Sequence, residues 1–187
     1  TTVSLLPGFA AIKGTAVFSY LSNVNLVDCK ITGNLSKPQN STLLLLGTVY
    51  FYGEGTGLKI SSSSIAYNKR TDGAPTSGTA LFFSSATPRT GLVINSICWN
   101  PGDGEEIDSF SKPAAVEFSD IRGGHRGNSV IDSDPLFVSK SDLHLQPTSP
   151  CINAGDNRFV PPRDLDGNVR PFPVGTNTDL GCYEMDQ

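Results

Sequence analysis

The sequence predicts an all-β protein, a parallel β-helix of short stacked strands followed by an irregular C-terminal segment. Three observations predict it. β-forming stretches recur with an asparagine at their end, no segment carries a long apolar period of 3.6 residues, and from about Asp132 the repeat gives way to a Pro- and Gly-punctuated tail. The repeat is plainest in LVINSICWN, Leu92 to Asn100, which packs Leu92, Val93, Ile94, Ile97 and Trp99 around an Asn-Ser pair and stops on Asn100-Pro101-Gly102. LVDCKITGN (Leu26 to Asn34) and ISSSSIAYN (Ile60 to Asn68) share its form. Aligning the final asparagines puts Asn34, Asn68 and Asn100 in one column and Ile31, Ile65 and Ile97 in another, with spacings of 34 (68 − 34) and 32 (100 − 68) residues. A looser fourth copy, VEFSDIRGG from Val116, places Ile121 24 residues after Ile97.

An apolar stretch precedes each asparagine-ended run: GTAVFSYLSN (Gly14 to Asn23), STLLLLGTVYFY (Ser41 to Tyr52) and GTALFFSSAT (Gly78 to Thr87). The unit is therefore strand, turn, strand, turn. Its variable length disfavours a propeller blade or a uniform leucine-rich repeat, and the lack of intervening helices disfavours alternating βα units. Stacked coils rise about 4.8 Å each, so an inward isoleucine in every coil makes an aliphatic ladder. An asparagine at the turn accepts a left-handed backbone at little cost and hydrogen-bonds its counterparts above and below. Length differences then fall in turn loops, here Leu35 to Gln39 and Arg70 to Ser77. The residues just before the asparagines are Gly33, Tyr67 and Trp99. Tyr67 and Trp99 form a candidate sugar-stacking strip, or else pack inside the coil or under a covering segment.

Composition bounds the function. The 187 residues suffice for one domain, and a net charge of −4 with no basic patch argues against a nucleic-acid partner. Apolar runs such as Leu43 to Leu46 are too short to span a membrane. Thr1-Thr2-Val3 opens no secretory leader, and Gly8 to Asn34 already reads as mid-fold, so the numbered chain is expected to begin inside a larger protein whose open N-terminal end offers an edge for edge-to-edge pairing. Glu184 to Gln187 carries no hydrophobic tail. Cys29, Cys98, Cys151 and Cys182 lie too far apart for a zinc motif; the first two read as buried thiols. Cys151 and Cys182 share the C-terminal segment and are a candidate disulfide in an oxidising compartment.

The chain thus divides into coils over 1–131 and a segment over 132–187 expected to cover the open end of the stack, about five or six coils in all. In that segment DPLFV, DLHLQPTSPCINAGDN, RDLDGNVRP and DLGCYE follow one another. In order and spacing they resemble the C-terminal signature of bacterial secreted right-handed parallel β-helix proteins of the choice-of-anchor Q type, a resemblance that covers about Ser96 to Glu184. It implies a right-handed coil and a secreted or cell-surface location. It implies little about activity, because the fold is shared with polysaccharide lyases and hydrolases. The sorting or anchoring tail common in that family does not follow Glu184.

Three sets of residues carry candidate chemistry. Asp164, Asp166 and Asn168 alternate oxygens around Gly167, with Asp156, Asp179 and Glu184 within reach if the chain folds back; this is a candidate calcium loop, although it lacks the spacing of an EF-hand, and the same side chains serve equally as turn caps. Arg122 to Arg126 and the run Glu105-Glu106-Asp108 are expected on neighbouring coils, where they would suit a lyase or a glycosidase, or simply stay solvated. His144, between Leu143 and Leu145, is expected to face solvent, and no serine sits in a nucleophile elbow. The sequence therefore points to a non-catalytic secreted or surface module that meets a polysaccharide or another surface protein. The alternative is a fragment of a polysaccharide lyase or glycoside hydrolase acting on an acidic polysaccharide.

Overall fold

The computed structural model describes residues 16–20, 23–36, 48–52, 57–70, 80–84, 91–102, 104–109 and 114–186. The expected N-terminal pairing edge and the loops 37–39 and 71–77 lie outside them. The chain passes four times through the same series of short strands. The first pass holds β1 (Val17–Tyr20), β2 (Val24–Val27), β3 (Lys30–Thr32) and β4 (Leu35–Ser36). The second holds β5 (Val49–Tyr52), β6 (Leu58–Ser61), β7 (Ser64–Ala66) and β8 (Lys69–Arg70). The third holds β9 (Leu81–Ser84), β10 (Leu92–Ile94) and β11 (Ile97–Trp99), and the fourth holds β12 (Ile107–Ser109) and the long β13 (Ala115–Ile121), after which β14 (Asn128–Ile131) pairs with β13. Every pairing between these strands is parallel, and among the described residues the one helical element is the 3₁₀ turn Asn157–Phe159.

Equivalent strands stack pass upon pass. The order β1-β5-β9-β12 forms one sheet, β4-β8 a second, and β2-β6-β10-β13-β11-β7-β3 the third, because β13 is long enough to pair with both β10 and β11. Three apolar ladders result. Val17, Val49, Leu81 and Ile107 are register partners in turn, as are Leu26, Ile60, Val93 and Val116. The third ladder is Ile31, Ile65, Cys98 and Ile121. All of these belong to one core between the sheets, with Phe51 and Leu58. Each fully buried aliphatic side chain stabilises the fold by about 1.5–3 kcal/mol, and a stack repeats that gain at every level.

The isoleucine column expected from the sequence is therefore shifted in the third pass, where Cys98 and not Ile97 follows Ile65. The cause is one residue. Gly33 (φ +70°) and Tyr67 (φ +55°) each insert a left-handed residue before their asparagine, whereas Trp99 pairs with Ala66 and runs straight into Asn100. A slip of one residue turns the side chain to the opposite face. Ile97 accordingly points away from the core, as Ala66 does. Leu35 and Ser36, expected in a loop, instead form β4 against β8.

That outer apolar face explains where the C-terminal segment goes. Phe137, Leu143, Leu145, Cys151, Leu180, Cys182 and Tyr183 bury themselves against Ala66 and Ile97 in a second core, flanked by Tyr67, Trp99 and Ile131. The segment touches every pass. Lys30 Nζ donates to Ser141 O at 2.7 Å in the first, Cys182 N to Ser64 Oγ at 3.2 Å in the second, and Gly181 N to Asn95 O at 2.9 Å in the third. In the fourth, Asp120 Oδ1 accepts from Ser133 N at 3.2 Å. The segment expected over the open end of the stack packs along this flank, because Ala66, Ile97 and Trp99 of β7 and β11 leave apolar side chains on the face turned away from the inner core.

Candidate functional site

The asparagine column is a hydrogen-bonded ladder. Asn34 Nδ2 donates to Asn68 Oδ1 at 2.8 Å, and Asn68 Nδ2 to Asn100 Oδ1 at 2.9 Å. Each amide oxygen also accepts the backbone N–H of the asparagine in the preceding pass, at 3.1 and 2.8 Å. The fourth pass offers no asparagine, and Glu106 takes its place. Its carboxylate accepts Asn100 N at 2.6 Å and Asn100 Nδ2 at 2.7 Å, so the terminal donors are both met. Glu106 is 1% exposed. Burial pushes its carboxyl up to about 7, against the pull of the Asn100 donors and the nearby Arg122 guanidinium. In the sequence Glu106 was one acid in a loop run; its spacing of six from Asn100 was the only signal of this role.

The ladder asparagines do not take the left-handed backbone expected of them; it falls one residue earlier, at Gly33 and Tyr67. A second left-handed column, Asp28, Ser62, Asn95 and Phe118, marks the bend between β2 and β3 and its equivalents, with φ between 43° and 50°. Beside it the hydroxyls of Ser63, Ser96 and Ser119 accept the backbone N–H groups of Cys29, Ser63 and Ser96 at 3.0–3.2 Å.

At the end of the asparagine ladder lies a surface hollow of about 330 Å³ lined by Trp99, Gly102, Gly104, Arg122, Gly123 and Asp132. β11 ends in Trp99, which the one-residue slip turns outward; Arg122 follows β13 directly, and Asp132 follows β14. The Arg122 guanidinium donates through Nη1 to the Gly102 carbonyl. Asp132 Oδ1 accepts Gly123 N at 3.0 Å, which leaves Oδ2 for a ligand hydroxyl. The other described lining residues, Gly102, Gly104 and Gly123, bring main chain to the wall, low enough for a flat ligand to approach. The hollow combines a half-exposed aromatic face, a cation and an acceptor carboxylate. Of the two predicted stacking aromatics only Trp99 lines it: the Tyr67 ring meets Phe137 edge-on at 6.0 Å, in the cover of the second core.

The Asp164 loop is a turn stapled by its own carboxylate. Asp164 Oδ1 accepts Asp166 N and Asn168 N at 3.0 and 2.7 Å, and Oδ2 accepts Asn168 Nδ2 and Glu184 N at 3.0 and 2.8 Å. Both oxygens are occupied, Asn168 presents its amide nitrogen to Asp164, and Asp166 Oδ2 turns to His144. The candidate calcium residues Asp164, Asp166 and Asn168 serve here as turn caps and a histidine partner, and among the described residues no group of three or more His, Cys, Asp or Glu is placed to hold a metal ion. His144, expected in solvent, is half-buried. Asp142 Oδ1 lies 2.5 Å from its Nδ1 and Asp166 Oδ2 2.8 Å from its Nε2, and the ring stacks on Tyr183 at 3.8 Å. Burial alone would lower its pKa; the two carboxylates outweigh that and raise it.

Cys151 and Cys182 share the second core but form no bridge. Both are free thiols, and Cys151 Sγ donates instead to Asp120 Oδ2 at 3.2 Å. Cys98 is a buried thiol, as expected, and Cys29 is half-buried. A residue the sequence did not single out locks the covering segment: the Arg170 side chain is fully buried, donates to Gly181 O at 3.0 Å, and lies 3.8 Å from Glu184 and 3.7 Å from Asp28 in the first pass.

The fold and the hollow define an all-β chain of stacked parallel strands with a depression lined by Trp99, Arg122 and Asp132 at the end of an amide ladder. Compared with known proteins, the chain matches no family model, no curated protein and no solved structure. No helix among the described residues is long and apolar enough to cross a membrane.

Proposed function

We propose that this chain is a right-handed parallel β-helix module of a secreted or cell-surface protein that binds carbohydrate at the Trp99 hollow without cleaving it. The coil geometry is supported by the repeated passage through the same parallel ladders and by the asparagine column. Right-handedness and surface location rest on the C-terminal motifs from DPLFV to DLGCYE. The observation that carries the binding reading is the hollow: an indole face beside an arginine and an aspartate is the common chemistry of a sugar subsite, the ring packing on the C–H face while the polar groups take the hydroxyls.

The enzymatic alternative draws on two carboxyls whose pKa burial raises to about 7, Glu106 and Asp120. Both are buried, and their oxygens are engaged, by Asn100 in one case and by Ser133 and Cys151 in the other. A glycosidase needs two carboxyls open to one glycosidic bond. The test is a screen of neutral and acidic polysaccharides for retention and for new reducing ends or unsaturated products, run with calcium and with a chelator. Retention without product is expected. Product formation would overturn the reading in favour of a lyase or hydrolase.

A further inference from the structure

We infer that the Trp99 hollow selects a neutral pyranose, a sugar bearing hydroxyls but neither carboxylate nor sulfate. The inference rests on the carbohydrate reading of the hollow and adds the class of sugar. It follows from the charges on the wall. The cation among the described lining residues, Arg122, has Nη1 committed to the Gly102 carbonyl. The anion among the described lining residues, Asp132, is exposed at the wall, with Oδ1 taken by Gly123 N and Oδ2 left to accept.

A sugar carboxylate entering here meets Asp132 as a like charge and finds one nitrogen of the Arg122 fork already given to the Gly102 carbonyl. Strong bidentate recognition of a carboxylate needs an arginine fork with both nitrogens free and no anion beside it. A hydroxyl has neither difficulty. It donates to Asp132 Oδ2 and accepts from Arg122, while the flat face of the ring lies on the Trp99 indole. The chain's net charge of −4 adds a weak long-range field of the same sign, which lowers the approach rate of polyanions further.

The experiment uses the single tryptophan of the chain, Trp99, as its reporter. Emission is titrated at pH 8 with neutral gluco- and xylo-oligosaccharides and with oligogalacturonates of equal length, for the wild type, W99F and D132N. Trp-less W99F is followed by calorimetry. The expected result is a neutral-sugar affinity at least about tenfold above that for the uronate, weakened several-fold by W99F. D132N, a change at an exposed site, should narrow the gap by admitting the uronate. A uronate that binds the wild type more tightly than the neutral sugar, with loss in W99F, overturns this inference and leaves the carbohydrate reading intact. Absence of any spectral change with every sugar, or binding indifferent to W99F, overturns both.

Discussion

At the scale of single residues, the account turns on side chains that close hydrogen-bond columns. Asn68 receives two donors, gives to Asn100 Oδ1 at 2.9 Å, and gives to Ile31 O at 3.0 Å. Asn68→Ala should cost about 3 kcal/mol, since it leaves buried donors and acceptors unmet above and below. Glu106→Gln should cost less than Glu106→Ala, because the amide keeps one acceptor for Asn100. Urea unfolding of the three variants gives the order. Equal costs for Gln and Ala would show that Glu106 does not terminate the ladder. The asparagine column was legible because its chemistry requires one residue type at every level. Glu106 was not, since a terminal acceptor occurs once and no repeat announces it. The shift from Ile97 to Cys98 was hidden for a related reason: whether a residue is inserted in the left-handed conformation is a backbone event, and Gly33, Tyr67 and Trp99 differ too much to reveal it.

At the scale of elements, β1 to β3, β5 to β7, β9 to β11 and β13 follow from the sequence, while β4, β8, β12 and the course of the covering segment do not. Val17, Val49 and Leu81 fall in near-copies of one stretch, and near-copies stack. Where residues 132–186 pack depends on the outer face of β7 and β11, which only the corrected register reveals. That packing is held by Arg170 and by close approaches. Arg170→Ala leaves Glu184 buried without its cation and should destabilise by about 3–5 kcal/mol. Gly181 has φ +92°, and a methyl group there would stand 2.6 Å from Ser64 Oγ, so Gly181→Ala should loosen the segment as well. In both variants hydrogen exchange should rise first in residues 163–184, with β6, β7 and β10 still protected. Simultaneous loss of protection in the strands would mean that the segment and the stack form one cooperative unit.

At the scale of the molecule, the buried acids set the pH response. The folded-state carboxyls of Glu106 and Asp120 sit at about 7 and that of Asp179 at about 6, all raised chiefly by burial. The folded protein therefore holds protons that the unfolded chain releases, and their contribution is lost as pH rises from about 4 through 7. His144, raised above 6.5 by Asp142 and Asp166 against the effect of burial, acts in the same direction through neutral pH. Asp142, Asp156 and Asp164 are lowered from 3.8 and lose their contribution only in stronger acid. The melting temperature should peak near pH 5 and fall toward pH 8; a flat or rising profile over that range would contradict the burial of these groups. The hollow itself belongs to this scale, since Trp99, Arg122 and Asp132 stand at the ends of three different strands, β11, β13 and β14. The measurement that tests the account most directly is the emission of Trp99 during titration with a neutral oligosaccharide. The account predicts a saturable blue shift or quench that disappears when the same sugar is added to unfolded protein. An emission spectrum unchanged at every sugar concentration would contradict it.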